Sequence, residues 1–283
     1  MPSTPASPPA PDSPVAVSDD RITVASISVL AYILTNIAHE GAGHAFGFYL
    51  AGGKSGMLTT TRLIEWVTLP DPQWRLFDLG GPAGNLALAF LAWLIQRFVR
   101  QRPVPLRFFL WLVLVFSLLW AFGYMIFCGL SGRGDWMALI EGTRFFWPGR
   151  VLFVLLGYAF YRASIHLAAR EMRCFISAQE DDSNSRIARL IWISYLAAGL
   201  IACAGPLRDP RGPMEILNAG ALSSFGAFVG LFFVRGNFLR LAPSPTSPPK
   251  AISWDLPWIL AAAAGAIYFV GILGPGILIY LGD

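Results

Sequence analysis

Residues 107–130 read RFFLWLVLVFSLLWAFGYMIFCGL, and after Arg107 no charged side chain interrupts them. About 20 consecutive apolar residues cross the hydrocarbon core of a bilayer as a helix. The stretch is long enough to span, and it is apolar all round, unlike the one-sided helix of a water-soluble domain. Working outward, comparable runs recur at 22–50, 76–98, 150–170, 187–207, 214–234 and 254–281, the 150–170 run interrupted by Arg162 and His166. The expected fold is all-α: a polytopic membrane helical bundle of about seven transmembrane helices. Composition agrees, with 55% hydrophobic residues, 13% charged and a mean hydropathy of +0.56. A soluble domain carries about 25% charged residues, so too few ionisable groups are present to coat a water-facing surface.

Three stretches punctuate the spans. Residues 1–20 are rich in Pro, Ser and Ala without an aromatic residue, which predicts a disordered tail. The tail lacks the basic start and short apolar core of a signal peptide, so the first run is expected to stay as a helix. Polar connections lie around QEDDSNSR (179–186) and APSPTSPPK (242–250). This divides the chain into the tail, a membrane core of three helices over 21–148, and further membrane helices over 149–283. Between the first two spans, LTTTRLIEWVTL (58–69) is dense in β-branched and aromatic residues and reads as strand or as a short amphipathic surface helix. The net charge of +4 is small, fits loop charges that orient a membrane protein, and gives no nucleic-acid footprint. Cys128, Cys174 and Cys203 lie far apart and form no C-x-x-C pair.

The first span ends NIAHEGAGHAFGFYL (36–50). Ionisable groups at membrane depth are costly unless paired or liganded, and here His39, Glu40 and His44 fall within six residues. A divalent cation would compensate them. Zinc takes imidazole and carboxylate ligands, keeps an open position in catalytic sites, and lowers the pKa of bound water to about 7. A neighbouring carboxylate can then serve as general base. The alternative is a set of polar groups satisfied by adjacent helices, as in a transporter.

HEGAGHA resembles the H-E-x-x-H helix of the site-2-protease-like intramembrane metalloproteases, with one residue more between the histidines. A spacing of four sets two histidines about 40° apart around an α-helix, whereas five sets His39 and His44 about 140° apart. Either an extra residue is taken up as a π-bulge, which Gly41 and Gly43 would ease, or Glu40 and His44 are the ligands and His39 has another part. Downstream, GGPAGNLALAF (80–90) resembles the G-P-x-x-N segment of the same family, and CGLSGRGDWMAL (128–139) stands where that family supplies an aspartate ligand. Asp135 is followed by Trp136 where the family usually has glycine, and a helix-capping or Arg133-paired aspartate is the alternative for it.

The resemblance covers the first three spans and implies Zn2+ held by His39, His44 and Asp135, with Glu40 as general base. Asn85 would orient the substrate or polarise its carbonyl. It implies hydrolysis of a peptide bond in or near the membrane segment of a membrane-anchored protein, by an integral, multi-pass protein of a bacterial cell membrane. The partners would be the lipid bilayer and that substrate. A non-enzymatic transporter or a zinc-binding scaffold is the competing expectation. Lys and Arg counted over alternating loops place the amino terminus in the cytoplasm; the resemblance implies the reverse.

Overall fold

The structure, a computed structural model, describes residues 18–66, 69–70, 73–99, 102–176, 183–241 and 251–282. Most of the tail, the 242–250 linker and the first half of the 179–186 connection lie outside the described residues. Among the described residues seven helices are long and apolar enough to cross a membrane: α1 (Arg21–Leu50), α2 (Gln73–Phe98), α3 (Val104–Ser131), α4 (Phe146–Met172), α5 (Ser183–Arg208), α6 (Ile216–Leu239) and α7 (Leu256–Leu273). The protein is an all-α helical bundle of multi-pass membrane type. Arg162 and His166 do not break α4; both are exposed on its outer face.

Helices α1 and α3 form the centre. Tyr32 of α1 stacks on Trp120 of α3 and meets Phe228 of α6 and Phe269 of α7 edge-on. Between apolar helices little hydrophobic force acts, so packing and interhelical hydrogen bonds hold the bundle. The Ser28 and Ser194 hydroxyls join α1 to α5 at 2.9 Å, and Trp111 Nε1 donates to Ala168 O at 2.9 Å between α3 and α4. Asp20 caps α1 by accepting from Thr23 N–H, and Asp19 accepts from buried Arg186 and from Ile252 N–H. The last residues of the presumed tail thus belong to the fold.

Of two readings of the sequence, one is decided between its alternatives and one is corrected. The segment after α1 is strand: β1 (Ser55–Leu58) and β2 (Leu63–Glu65) pair antiparallel. The final run does not remain helical to 281. Helix α7 stops at Leu273, and β3 (Ile277–Tyr280) returns to pair antiparallel with β1, giving the order β2-β1-β3. The cause is Gly274-Pro275-Gly276: proline cannot donate the next helical bond, and Gly276 takes φ +101°. Because spans alternate in direction, the ends of α1 and α7 share one side of the bundle, and the sheet forms there.

Within α1, residues Ile37–His44 are π-helical. The backbone of α2 packs directly against this turn. A Cβ on Gly43 would run into the Gly80 carbonyl, and one on Gly84 into the Ala38 carbonyl. None of these glycines has positive φ, so they serve close approach and not backbone freedom. Gly41 differs, since a Cβ there meets Ile37 and Leu58 side chains at an ordinary 3.5–3.6 Å. Gly43→Ala should therefore destabilise the detergent-solubilised protein by about 1–3 kcal/mol, while Gly41→Ala leaves thermal unfolding within about 0.5 kcal/mol of the parent. Equal unfolding temperatures for the two variants would contradict this packing.

Candidate metal centre

The i→i+5 ladder of the π stretch returns His44 to the face of His39. Their ring centroids lie 4.9 Å apart, nearly perpendicular. Asp135 arrives from α3, which ends on Gly132 at φ +72° and turns through Gly134 at φ +101°. These left-handed positions favour glycine and reverse the chain within three residues. Trp136 then fixes the turn by donating its indole N–H to Ala121 O at 3.0 Å. The departure from the family pattern is thus an anchor.

Asp135 Oδ2 lies 3.2 Å from His39 Nε2 and 3.3 Å from His44 Nε2. The three ligand atoms fall within 4.8 Å of one another. Bonds of about 2.0–2.2 Å in a tetrahedral zinc site set ligand atoms about 3.3 Å apart, so the donor set fits such an ion. Asp135 Oδ2 is buried without a hydrogen-bond partner. Burial alone would push its carboxyl up; the His44 and His39 rings facing it outweigh that and hold it well below the usual carboxylate range. Tyr124 donates to the other oxygen at 3.4 Å.

The far side of each ring is also held. His44 Nδ1 stands 2.9 Å from the Phe77 carbonyl. That carbonyl can only accept, so Nδ1 carries a hydrogen and Nε2 is the nitrogen left to bond an ion in place of its own proton. His39 stacks on Trp120 at 5.0 Å, and its Nδ1 faces the fully buried Asn85 amide at 3.1 Å. A half-turn of that amide puts Oδ1 on the ring, a choice set by the hydrogen-bond network. Oδ1 otherwise has no partner, and with it in place His39 also presents Nε2. Asn85, expected to meet substrate, stands instead behind the His39 ring. A Cβ on Gly81 would strike His44 Nε2 and His39 Nε2, at 2.5 and 2.7 Å, so this glycine keeps the centre open.

Glu40 lies outside the trio. Its Oε2 is 4.0 Å from His44 Nε2, buried and without a hydrogen-bond partner. All four residues line a cleft of about 440 Å3. Its walls include the β1–β2 turn and α6, where residues 216–225 are π-helical. Part of the stretch 149–283, left without a role by the sequence, thus walls the site, through Arg211, Glu215 and residues of α6. At the rim Asp209 accepts from the Thr61 hydroxyl at 2.5 Å and pairs with Arg211 at 3.2 Å. Burial would raise the Asp209 carboxyl; the Thr61 hydroxyl and Arg211 together hold it low. Asn36, Trp120, Tyr124 and Thr61 carry no motif in the sequence, and only adjacency in space marks them out.

Compared with models of protein families, with curated proteins and with solved structures, the chain matches none. The site's chemistry therefore rests on its own side chains. If His39 needs an acceptor at Nδ1, Asn85→Ala should weaken zinc binding about 10–100-fold in competition with a chromogenic chelator, and Asn85→Asp should restore most of it. Unchanged affinity in Asn85→Ala would leave the amide without this role.

Proposed function

We propose that the chain is an intramembrane zinc metallopeptidase that hydrolyses a peptide bond in or near the membrane segment of a membrane-anchored protein. One observation carries the reading: the buried Glu40 carboxylate, whose Oε2 makes no hydrogen bond, stands beside two imidazoles and a carboxylate oxygen that lies 3.2 and 3.3 Å from the two ring nitrogens. A buried carboxylate oxygen without a hydrogen bond is expensive as a purely structural feature.

His39, His44 and Asp135 would hold the ion, with the Phe77 carbonyl and Asn85 setting the rings. Zinc would supply a water acidified to near neutrality and an electrophile for the peptide carbonyl. Glu40 accepts the proton that the attacking water loses and delivers it to the departing amine. The cleft walls exclude bulk water from these transfers. A helical substrate buries its scissile bond in its own hydrogen bonds and has to unwind first. Strand β2 supports that step, because β1 pairs on both sides while β2 keeps one free edge, and Leu63 and Glu65 line the cleft. An unwound peptide can add to that edge as a further strand.

A second reading, transport, draws support from α6, which is π-helical over Ile216–Phe225 and 3-10 over Gly226–Gly230. Broken helices mark many transporter binding sites. That stretch contains no charged residue, whereas transport sites usually place ionisable groups there.

Glu40→Gln separates the readings. The amide keeps the carboxylate's shape but accepts no proton, so cleavage of a membrane-anchored reporter should fall by at least about 10²–10⁴-fold, with zinc content per chain unchanged. His39→Ala and His44→Ala should lose zinc and cleavage together. Loss of zinc in Glu40→Gln would make Glu40 a ligand, and full cleavage by that variant would remove the peptidase assignment from this site.

A further inference from the structure

Asn36 is a polar residue of the cleft of which the fold uses one end and the proposed chemistry neither. It lies one helical turn before Glu40, is 1% exposed and lines the same cleft as His39 and Glu40. Its Nδ2 donates to the Thr60 carbonyl in the β1–β2 turn at 2.9 Å. Since that carbonyl can only accept, the amide cannot be turned round without setting two acceptors against each other. Oδ1 is thereby fixed as the free end, and it is buried with no hydrogen-bond partner. The Tyr32 hydroxyl one turn earlier lies near Asn36 and Ser224 but makes no hydrogen bond to Oδ1. Leaving an acceptor buried and unpaired costs free energy that an apolar side chain of the same shape would avoid. The Thr60 hydroxyl is unpaired too, but it packs towards Gly205; Asn36 Oδ1 is an unpaired acceptor of the cleft to which the proposed chemistry, unlike Glu40 and Asp135, gives no part.

We propose that Asn36 Oδ1 is a substrate-binding acceptor that takes one backbone N–H of the unwound peptide beside the scissile bond. This rests on the peptidase reading. Unwinding strips a helix of its internal hydrogen bonds, and every freed N–H brought into a low-dielectric cleft needs an acceptor. A peptide added to β2 points only alternate residues' N–H groups at that strand and the others away from it. Asn36 stands between the β1–β2 turn and Glu40, where one of the outward groups would otherwise be orphaned. Its amide is held from the turn side, so it is pre-organised and loses little rotamer freedom on binding. An acceptor of this kind reads backbone and not side chain, and it would favour any sequence that unwinds readily over one particular residue.

The test uses full-length, zinc-loaded protein in detergent and two probes: acetohydroxamate, which offers a metal-chelating group alone, and a peptidyl hydroxamate with its backbone amides N-methylated one at a time. In the parent, methylating one particular amide should weaken binding about tenfold, the worth of one hydrogen bond. In Asn36→Leu the unmethylated probe should bind about tenfold more weakly, the same methylation should cost nothing further, and acetohydroxamate affinity should be unchanged. Asn36→Ala replaces Asn36→Leu if the latter does not hold zinc. A methylation penalty equally large in parent and variant overturns the Asn36 proposal and leaves the peptidase reading standing. A parent that binds the peptidyl probe no better than acetohydroxamate overturns both. Independently of any variant, a structure of the parent with the peptidyl hydroxamate should place a peptide nitrogen about 3 Å from Asn36 Oδ1; a water there, or no peptide nitrogen within about 4 Å, overturns the proposal.

Discussion

Everything at the centre of this molecule depends on how closely the backbones of α1 and α2 approach. Gly43 lies against the Gly80 carbonyl and Gly84 against that of Ala38, leaving no room for a single methyl group. That contact coincides with the π-helical stretch Ile37–His44, and the wider turn makes a five-residue spacing serviceable. An α-helical turn would send His39 and His44 to faces about 140° apart. The same contact sets Asn85 and the Phe77 carbonyl of α2 behind the two rings. Position and orientation of the imidazoles thus come from one packing event.

The surroundings make that event consequential. In a bilayer, buried polar groups find no water to fall back on, so one left without a partner is costly. Most are satisfied, as with Ser28 and Ser194 or Trp111 and Ala168. Those that are not include Glu40 Oε2, Asp135 Oδ2 and Asn36 Oδ1, and all three residues line one cleft. Their clustering is what the proposed chemistry accounts for.

How much could be read from the chain varies with the kind of signal. The seven spans follow from length and apolarity, which packing does not override. His39, Glu40, His44 and Asp135 stand out because charge is conspicuous in an apolar background, and the structure brings the two histidines and the aspartate to one point. Gly41 and Gly43 were legible as unusual, yet for the wrong reason: backbone freedom is not needed at either, and only Gly43 is needed for close approach. Asn85 was visible as part of a motif, but its contact with His39 spans 46 residues and exists only in three dimensions. Strand β3 was hidden because Ile277–Tyr280 continues an apolar run; the Gly-Pro-Gly before it was the available signal. Asn36 is silent in sequence, since one asparagine near a helix end is ordinary until its amide is seen to be half satisfied.

The account stands on the π turn as the device that lets five-residue spacing hold a metal, and deletion of one residue tests that directly. Ala42 is exposed within the π-helical stretch, and removing it yields a spacing of four, which an α-helix serves unaided. The full-length protein lacking Ala42 should therefore keep the parent's zinc stoichiometry, with two imidazole nitrogens in the zinc coordination sphere by X-ray absorption. Loss of zinc to the level of His39→Ala would show that the extra residue is not simply absorbed by the turn, and would contradict the account at its base.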